Sequence, residues 1–131
     1  VRKIGSVVML LAIVLWLPSC QRSQRQGDIE VLSISREIDT KVPGHEMCST
    51  FTLTKENVET YFSIAKEVSG YEFHHEALIL PCKYKGSIRI HESHLQWEIY
   101  AGGAGYLYDK VSANKRYLCK EKCCDRLPGL C

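Results

Sequence analysis

Two spacings of apolar residues occur along this chain, one typical of helices and one typical of strands. The clearest helical pattern covers residues 54–69, where apolar side chains recur every three or four positions and so share one side of a helix. The members of this stripe are Val58, Tyr61, Phe62, Ala65 and Val68. Thr54 is a favourable N-cap residue, and Gly70 is a typical residue at which a helix ends. The pattern therefore predicts one main helix whose apolar stripe packs into the core.

From Tyr71 onward the spacing of apolar residues is no longer helical. The best strand is residues 94–100, where Leu95, Trp97 and Ile99 alternate with polar side chains. Shorter strands are predicted within residues 28–39, 87–91, 106–108 and 116–119. Short connections between sequential strands favour antiparallel neighbours, so we expect an α+β fold, an antiparallel β-meander sheet packed by one main helix.

Glycine and proline positions divide these segments. Residues 83–86 and 92–93 predict turns on either side of the strand at 87–91. Residues 101–105 read Ala-Gly-Gly-Ala-Gly, and they are followed neither by a Lys-Ser/Thr pair nor by a predicted helix, which excludes a phosphate-binding loop. Glycines beside a strand more often mark a bulge or a close backbone contact, and we expect one here.

The N-terminal residues carry an export pattern. Arg2 and Lys3 precede an uncharged apolar run at residues 7–17, and Leu17-Pro-Ser-Cys20 follows. This run is shorter than the roughly 20 residues of a transmembrane helix. The segment resembles the bacterial lipoprotein signal, which implies cleavage before Cys20, acyl chains on that cysteine and thereby attachment to a membrane. An ordinary signal peptide and a retained N-terminal anchor are the alternatives.

This resemblance divides the chain into three parts. Residues 1–19 are expected to be a signal peptide that is removed, and residues 20–28 the lipidated cysteine with a polar, flexible tether. Residues 29–131 are enough for a single domain, which would face the periplasm. In enterobacterial lipoproteins an aspartate after the lipidated cysteine implies retention in the inner membrane, so Gln21 favours the outer membrane.

The charge of the chain excludes one class of partner. The sequence has 17 Lys and Arg and 15 Asp and Glu, and Arg2 and Lys3 are the only charged residues before Cys20. The remainder is therefore balanced between basic and acidic side chains. Such a domain lacks the excess positive charge that attracts nucleic acid.

Seven cysteines are many for 131 residues. With Cys20 acylated, six remain for disulfides in an oxidising compartment: Cys48, Cys82, Cys119, Cys123, Cys124 and Cys131. Six thiols allow 15 pairings, and the sequence does not choose among them. We favour a Cys48–Cys82 bond with local pairing of the other four, and Cys123 and Cys124 are adjacent and therefore poor partners for each other.

Other chemistries are weaker alternatives. The four C-terminal cysteines could nominally hold zinc, but their spacing matches no paired CxxC arrangement and no CxxC redox motif is present. A hydrolase would need a histidine and a carboxylate in one cleft, and the available side chains are His74, His75, Glu76, His91 and His94. We expect no catalytic residue, no cofactor and no metal, and keep an envelope-directed hydrolase and a metal-binding envelope protein as alternatives.

The mature part is similar to small Gram-negative envelope proteins, and specifically to the enterobacterial YafY-type lipoproteins. The residues that carry this likeness are Phe51, Leu53, Val58, Tyr61, Phe62, Pro81, Cys82, Gly86, Trp97, Ile99, the glycines of 101–105, Tyr117, Leu118 and Cys119. They are fold determinants, and no catalytic residue transfers with them. Our hypothesis is therefore a lipid-anchored, non-catalytic protein-binding module in the periplasm, of accessory, stress-related or inhibitor/immunity type.

Aromatic residues suggest where such a module would bind an envelope protein. Trp97, Tyr100, Tyr106 and Tyr108 fall close together in the sequence, on and beside the best predicted strand. Tyrosine and tryptophan are common anchors of protein interfaces. We therefore expect these four residues to form the partner-binding surface.

Overall fold

The computed structural model describes residues 28–109 and 114–131. The predicted signal peptide, Cys20 and the tether up to residue 27 lie outside the described residues. Within these described residues there are seven strands: β1 (Ile29–Val31), β2 (Ser35–Ile38), β3 (Lys66–Val68), β4 (Cys82–Ile90), β5 (Ser93–Tyr100), β6 (Ala104–Tyr108) and β7 (Lys115–Leu118). Three α-helices accompany them: α1 (Lys55–Ile64), α2 (Gly70–Glu76) and α3 (Lys122–Arg126). Short 3-10 helices cover His45–Thr50 and Pro128–Leu130.

All seven strands belong to one antiparallel sheet with the order β1-β4-β5-β6-β7-β3, and β2 also pairs with β4. Strands β4 to β7 follow one another as a meander. This confirms the predicted α+β fold with a disulfide-stabilised antiparallel sheet. The predicted strand at residues 94–100 is β5, one residue longer at its start.

The core lies on one face of the sheet, which we call the inner face. Trp97, Ile99 and Ile88 point into it from the central strands and are fully buried. Helix α1 covers this face, with Phe62 packed edge-on against Trp97 and Tyr117. The C-terminal segment closes the same core through Cys123, Leu127 and Leu130.

Helix α1 begins as predicted. The Thr54 side chain accepts a hydrogen bond from the backbone N–H of Asn57, and the Asn57 side chain accepts one from the Thr54 N–H, so the two form a capping box. The predicted extent of the helix is wrong, because it ends at Ile64 and Lys66–Val68 form β3 against β7. Pairing with β7 outweighs the helical spacing of the side chains there.

Gly70 does not end a helix, as the sequence had suggested, but begins α2. The side chain of Ser69 caps this helix by accepting a hydrogen bond from the N–H of Glu72. The expectation that helical structure stops at Tyr71 is therefore wrong. Helix α2 is short, and Phe73 is its one buried residue, which is too little for an apolar stripe to show in the sequence.

The predicted turn at residues 83–86 is also wrong, since Cys82–Ile90 form a single nine-residue strand. Strand β4 carries β5 on one side and both β1 and β2 on the other. The segment predicted as one strand within 28–39 is thus two. Gly86 lies where they meet, and a Cβ there would come within 1.9 Å of the Ser33 carbonyl oxygen.

Three disulfides join the six cysteines, which confirms the expectation of a disulfide-stapled domain. Cys48 is bonded to Cys82, with Cα atoms 5.8 Å apart, and the bond ties the first 3-10 helix to the start of β4. The other bonds are local, Cys119–Cys123 and Cys124–Cys131. In residues 28–109 and 114–131, no helix has the length and hydrophobicity to cross a membrane.

Candidate functional site

The face of the sheet opposite α1, which we call the outer face, is only partly covered. Helix α2 lies over one end of it, where Phe73 packs against Tyr106 with ring centroids 4.9 Å apart. Ala104 and Leu118 complete this small second cluster. Beyond α2 the outer face of β4, β5 and β6 carries exposed and partly exposed side chains, and a ligand could lie on it.

Three of the four aromatic residues expected at a binding surface do share the outer face. The register pairs Tyr106 with Glu98 and Tyr108 with Gln96, and side chains of directly paired residues lie on the same side of a sheet. Tyr100 and Tyr106 are in edge-on contact, with centroids 6.3 Å apart. The three tyrosines are each partly buried, so their rings are held by neighbours but remain accessible.

Trp97 does not belong to this surface. It alternates with Glu98 along β5 and points to the inner face, where its exposed fraction is 0%. Its indole N–H donates to the Ser87 carbonyl oxygen at 3.2 Å. The expectation that Trp97 binds a partner is therefore corrected: its side chain belongs to the core.

Ion pairs flank the tyrosines on the outer face. The Lys83 Nζ lies 2.7 Å from Glu98 Oε1 and 5.4 Å from the centre of the Tyr100 ring. Further along β4, Lys85 Nζ lies 2.6 Å from Oε2 of Glu37, which belongs to the neighbouring strand β2. This ladder of alternating charges holds the Tyr100 ring in place and keeps the surface nearly neutral.

These contacts shift several pKa values. Partial burial acts against the charged form of Lys83, but the hydrogen bond and charge of Glu98 outweigh it and raise the pKa of the ammonium. The hydrogen bond from Lys85, helped by the charge of Lys83, lowers the pKa of Glu37. Partial burial raises the pKa of both Tyr106 and Tyr108. The pKa shifts of Lys83 and Glu37 thus keep both groups charged at neutral pH, and those of Tyr106 and Tyr108 keep both phenols protonated.

A cavity of about 310 Å³ opens at the edge of the outer face, where β4 begins. Its apolar wall consists of Val42, Ile79, Leu80, Pro81 and Tyr100. Glu37, Asp39 and Lys83 supply its charged lining. The volume lies at the lower end of the range for small-ligand sites, and it suits one extended side chain. We call this the β4 cavity.

Exposed apolar side chains surround the β4 cavity. Ile79 is 49% exposed, although it lines the cavity, and Val42 is 39% exposed. Leu78, next in the chain, is 57% exposed. Apolar side chains that are exposed singly are common on protein surfaces, but a group at the mouth of a cavity is typical of an interaction site.

The histidines of the hydrolase hypothesis lie on different elements. His74 and His75 belong to α2, whereas His91 and His94 flank the β4–β5 turn. Glu76 forms an ion pair with Lys120. The cavity beside His74 is lined by Gly70, Phe73, His74, Ala77, Ile79, Tyr106 and Arg116, a set without a carboxylate. The structure therefore does not bring a histidine and a carboxylate together in that cavity.

The metal hypothesis concerned the C-terminal cysteines. The sulfur atoms of Cys119, Cys124 and Cys131 lie within 4.8 Å of one another. In this structure Cys119 is bonded to Cys123, and Cys124 to Cys131. A disulfide sulfur carries no thiolate, which is the form of cysteine that binds zinc. The cluster as it stands is a covalent staple of the C-terminus.

Comparison with known proteins identifies no relative: no family model, no curated protein and no solved structure matches this chain. The arrangement of its own residues is therefore the ground for a functional proposal.

The β4 cavity was not predicted from the sequence. Two separate connections contribute to its lining: Asp39 and Val42 follow β2, and Ile79 lies between α2 and β4. Neither connection has a periodic spacing of apolar residues that would predict a cavity. The signal that could have located the cavity is the disulfide, because Cys48–Cys82 brings these two connections to the same end of β4.

Proposed function

We propose that this protein is a non-catalytic, lipid-anchored envelope protein that binds a protein partner through the outer face of its sheet. The observation that supports the proposal is the set of three accessible tyrosines, Tyr100, Tyr106 and Tyr108, on one open sheet face. Tyrosine presents a large, rigid, amphipathic surface at low entropic cost, which is why it is enriched at interfaces. The envelope location rests on the resemblance of residues 1–20 to a lipoprotein signal and agrees with three disulfides.

The proposed tether joins the described domain at one end of β4, and the cavity lies at the other end. Residues 21–27 lead into β1, where Ile29 pairs with Ile90, the last residue of β4. The β4 cavity lies at Cys82, the first residue of that nine-residue strand. At ~3.3 Å per residue, this places the cavity about 26 Å along the strand from the tether. A chain acylated at Cys20, in the outer membrane as Gln21 favours, would thus be tethered at the end of β4 opposite to the cavity.

Photo-crosslinking in cells tests the proposed surface. A benzoylphenylalanine in place of Tyr108 should crosslink an envelope protein upon irradiation. The same probe at Glu92, on the exposed β4–β5 turn, and at Ser63, on the exposed side of α1, provides matched controls. Crosslinks that form equally at all three positions, or only at the controls, would contradict binding by the outer face.

The anchor is tested separately. Cells that are supplied with labelled palmitate should incorporate it into the wild-type chain and not into the Cys20→Ala variant. The variant should also leave the membrane fraction. Incorporation that persists in Cys20→Ala, or none in the wild type, would refute lipidation at Cys20 while leaving the binding surface to its own test.

A further inference from the structure

We propose that the β4 cavity binds a single lysine or arginine side chain of the partner protein. The inference rests on the proposed function, since it assigns the chemistry of the partner at one end of the same surface. The cavity adjoins the tyrosines directly, because Tyr100 both lines it and contacts Tyr106. A partner segment that lies across the outer face would therefore reach the cavity without a gap.

The wall of the cavity suits an alkyl stem. Val42, Ile79 and Leu80 supply aliphatic surface along one side, and the Tyr100 ring continues it. Lysine and arginine bury their methylene groups along apolar surface while keeping the charged group near polar atoms. Val42 and Ile79 are each more than one-third exposed, so this wall would lose contact with water when a stem is bound.

The charges around the cavity favour a cation. Two carboxylates line it, Glu37 and Asp39, against the one ammonium of Lys83. That ammonium forms an ion pair with Glu98, and Glu37 forms one with Lys85. Asp39 Oδ1 accepts a hydrogen bond from the backbone N–H of Lys41, a contact that does not neutralise its charge. Asp39 therefore supplies the negative charge that remains at the cavity once these two ion pairs are counted.

This combination disfavours other occupants. An anionic side chain would face Glu37 and Asp39 and be repelled. A purely apolar side chain would remove these carboxylates from water without offering them a partner, which is costly. A side chain with an alkyl stem and a terminal cation satisfies both sides of the cavity.

Nuclear magnetic resonance titration of the purified full chain in detergent micelles tests the inference. The probes are the Nα-acetyl N-methylamides of lysine and arginine, added to tens of millimolar. The controls are the same derivatives of norleucine, which has the stem without the ammonium, and of glutamate. Lysine and arginine derivatives should shift the amide signals of Asp39, Val42 and Leu80 saturably, and the norleucine and glutamate derivatives should not.

Two conservative variants assign the charge dependence. Asp39→Asn keeps an oxygen that can accept from the Lys41 N–H, and it should weaken binding of the lysine derivative up to about fivefold, the range for a partly exposed ion pair. Combined with Glu37→Gln, the loss should be larger. Glu92→Gln, at the other end of β4, should leave the affinity unchanged.

Four outcomes would overturn the inference. The first two are the absence of a saturable shift with the lysine and arginine derivatives, and equal shifts with the norleucine derivative. The glutamate derivative binding more strongly, or an unchanged affinity in the Asp39→Asn, Glu37→Gln double variant, would overturn it as well. Shifts at the same residues when the protein alone is concentrated would show that a second copy of the chain occupies the cavity. A crosslink from position 108 without lysine binding would preserve the proposed function and remove only this inference.

Discussion

The hydroxyl of Tyr61 donates a hydrogen bond to the carbonyl oxygen of Gly103 at 2.9 Å, joining the middle of α1 to the turn between β5 and β6. The Tyr61 hydroxyl oxygen also lies 3.3 Å from the carbonyl oxygen of Tyr117. Burial of the phenol raises its pKa, so it remains a donor at all ordinary pH values. The ring reaches this position only because Gly105 lacks a side chain.

Gly105→Ala should therefore destabilise the domain. A Cβ at this position would lie 2.5 Å from the Tyr61 hydroxyl and 2.8 Å from its ring. Overpacking of this kind costs about 1–3 kcal/mol in the free energy of unfolding, measurable by denaturation in urea. Gly129→Ala is the matched control, because a Cβ there meets no atom within 4 Å. Equal stabilities of the two variants would contradict the close approach.

Gly86→Ala should release the N-terminal strands from β4. The added Cβ would lie 1.9 Å from the Ser33 carbonyl oxygen, which belongs to the backbone and cannot rotate away. Hydrogen exchange provides the measurement, since the N–H groups of Leu32 and Ser33 both donate to the Ser87 carbonyl. We expect their protection to fall while that of β5–β6 amides persists. Unchanged exchange at residues 32 and 33 would refute the contact.

Removal of the Cys48–Cys82 disulfide should cost more stability than removal of Cys124–Cys131. The sequence separations are 34 and 7 residues, and a longer loop loses more entropy when it is closed. The chain-entropy relation gives a difference of about 1.4 kcal/mol. Paired Cys→Ala variants, compared by urea denaturation, provide the test. A larger loss from the C-terminal pair would show that the long loop is already restricted in the unfolded chain.

Truncation to alanine should reduce mainly the stability of the domain at Trp97 and mainly the binding of the partner at Tyr108. Trp97→Ala opens a hole in a fully buried site and should cost about 3–5 kcal/mol in unfolding free energy. Tyr108→Ala removes a partly exposed ring and should cost under about 1 kcal/mol. Tyr108→Ala should instead reduce capture of the partner in cells. A folded, stable Trp97→Ala protein would contradict the burial of the indole.

Glu72 links stability to pH. Hydrogen bonds from Lys120 and Lys66 lower its pKa below the usual 4.5, so the unfolded chain binds a proton at higher pH than the folded one. Its contribution is therefore complete above pH 4.5 and is lost as the pH falls through the folded-state pKa. Glu72→Gln should lower Tm at pH 7, and the deficit should shrink at lower pH. If the Tm difference between wild type and Glu72→Gln does not depend on pH, packing and not charge is its cause. If charge is the cause, 1 M salt should reduce the Tm difference.

The sequence predicted best where the responsible interactions are local or periodic. Thr54 and its neighbours identified the start of α1, and alternation over residues 94–100 identified β5. The predicted α1 was too long because Lys66–Val68 pair with β7, a strand that lies some fifty residues further along the chain. The prediction placed a turn at residues 83–86 and so did not include them in a strand. In the structure a glycine is required at position 86 because the backbone of Ser33 passes too close for a Cβ.

The candidate site was predicted in part. Tyr100, Tyr106 and Tyr108 were found because aromatic residues near a strand are visible in the sequence, but the register of β5 decides which of them face outward. Trp97 was misassigned for this reason, since one step along a strand reverses the face. The β4 cavity depends on two connections that the disulfide brings together, and no local spacing encodes that proximity.

The bond between Cys48 and Cys82 also limits what mechanical force can do to this molecule. A pull on the segment before Asp28 would act first on β1, whose pairs with β4 would open one after another from Ile29. Strand β2 would follow, and then the peeling would stop at Cys48, which is covalently attached to the first residue of β4. Tension transmitted from an anchored N-terminus would thus pass through the sulfur atoms to β4, and residues 49–81, which lie inside the loop that the bond closes, would not be extended.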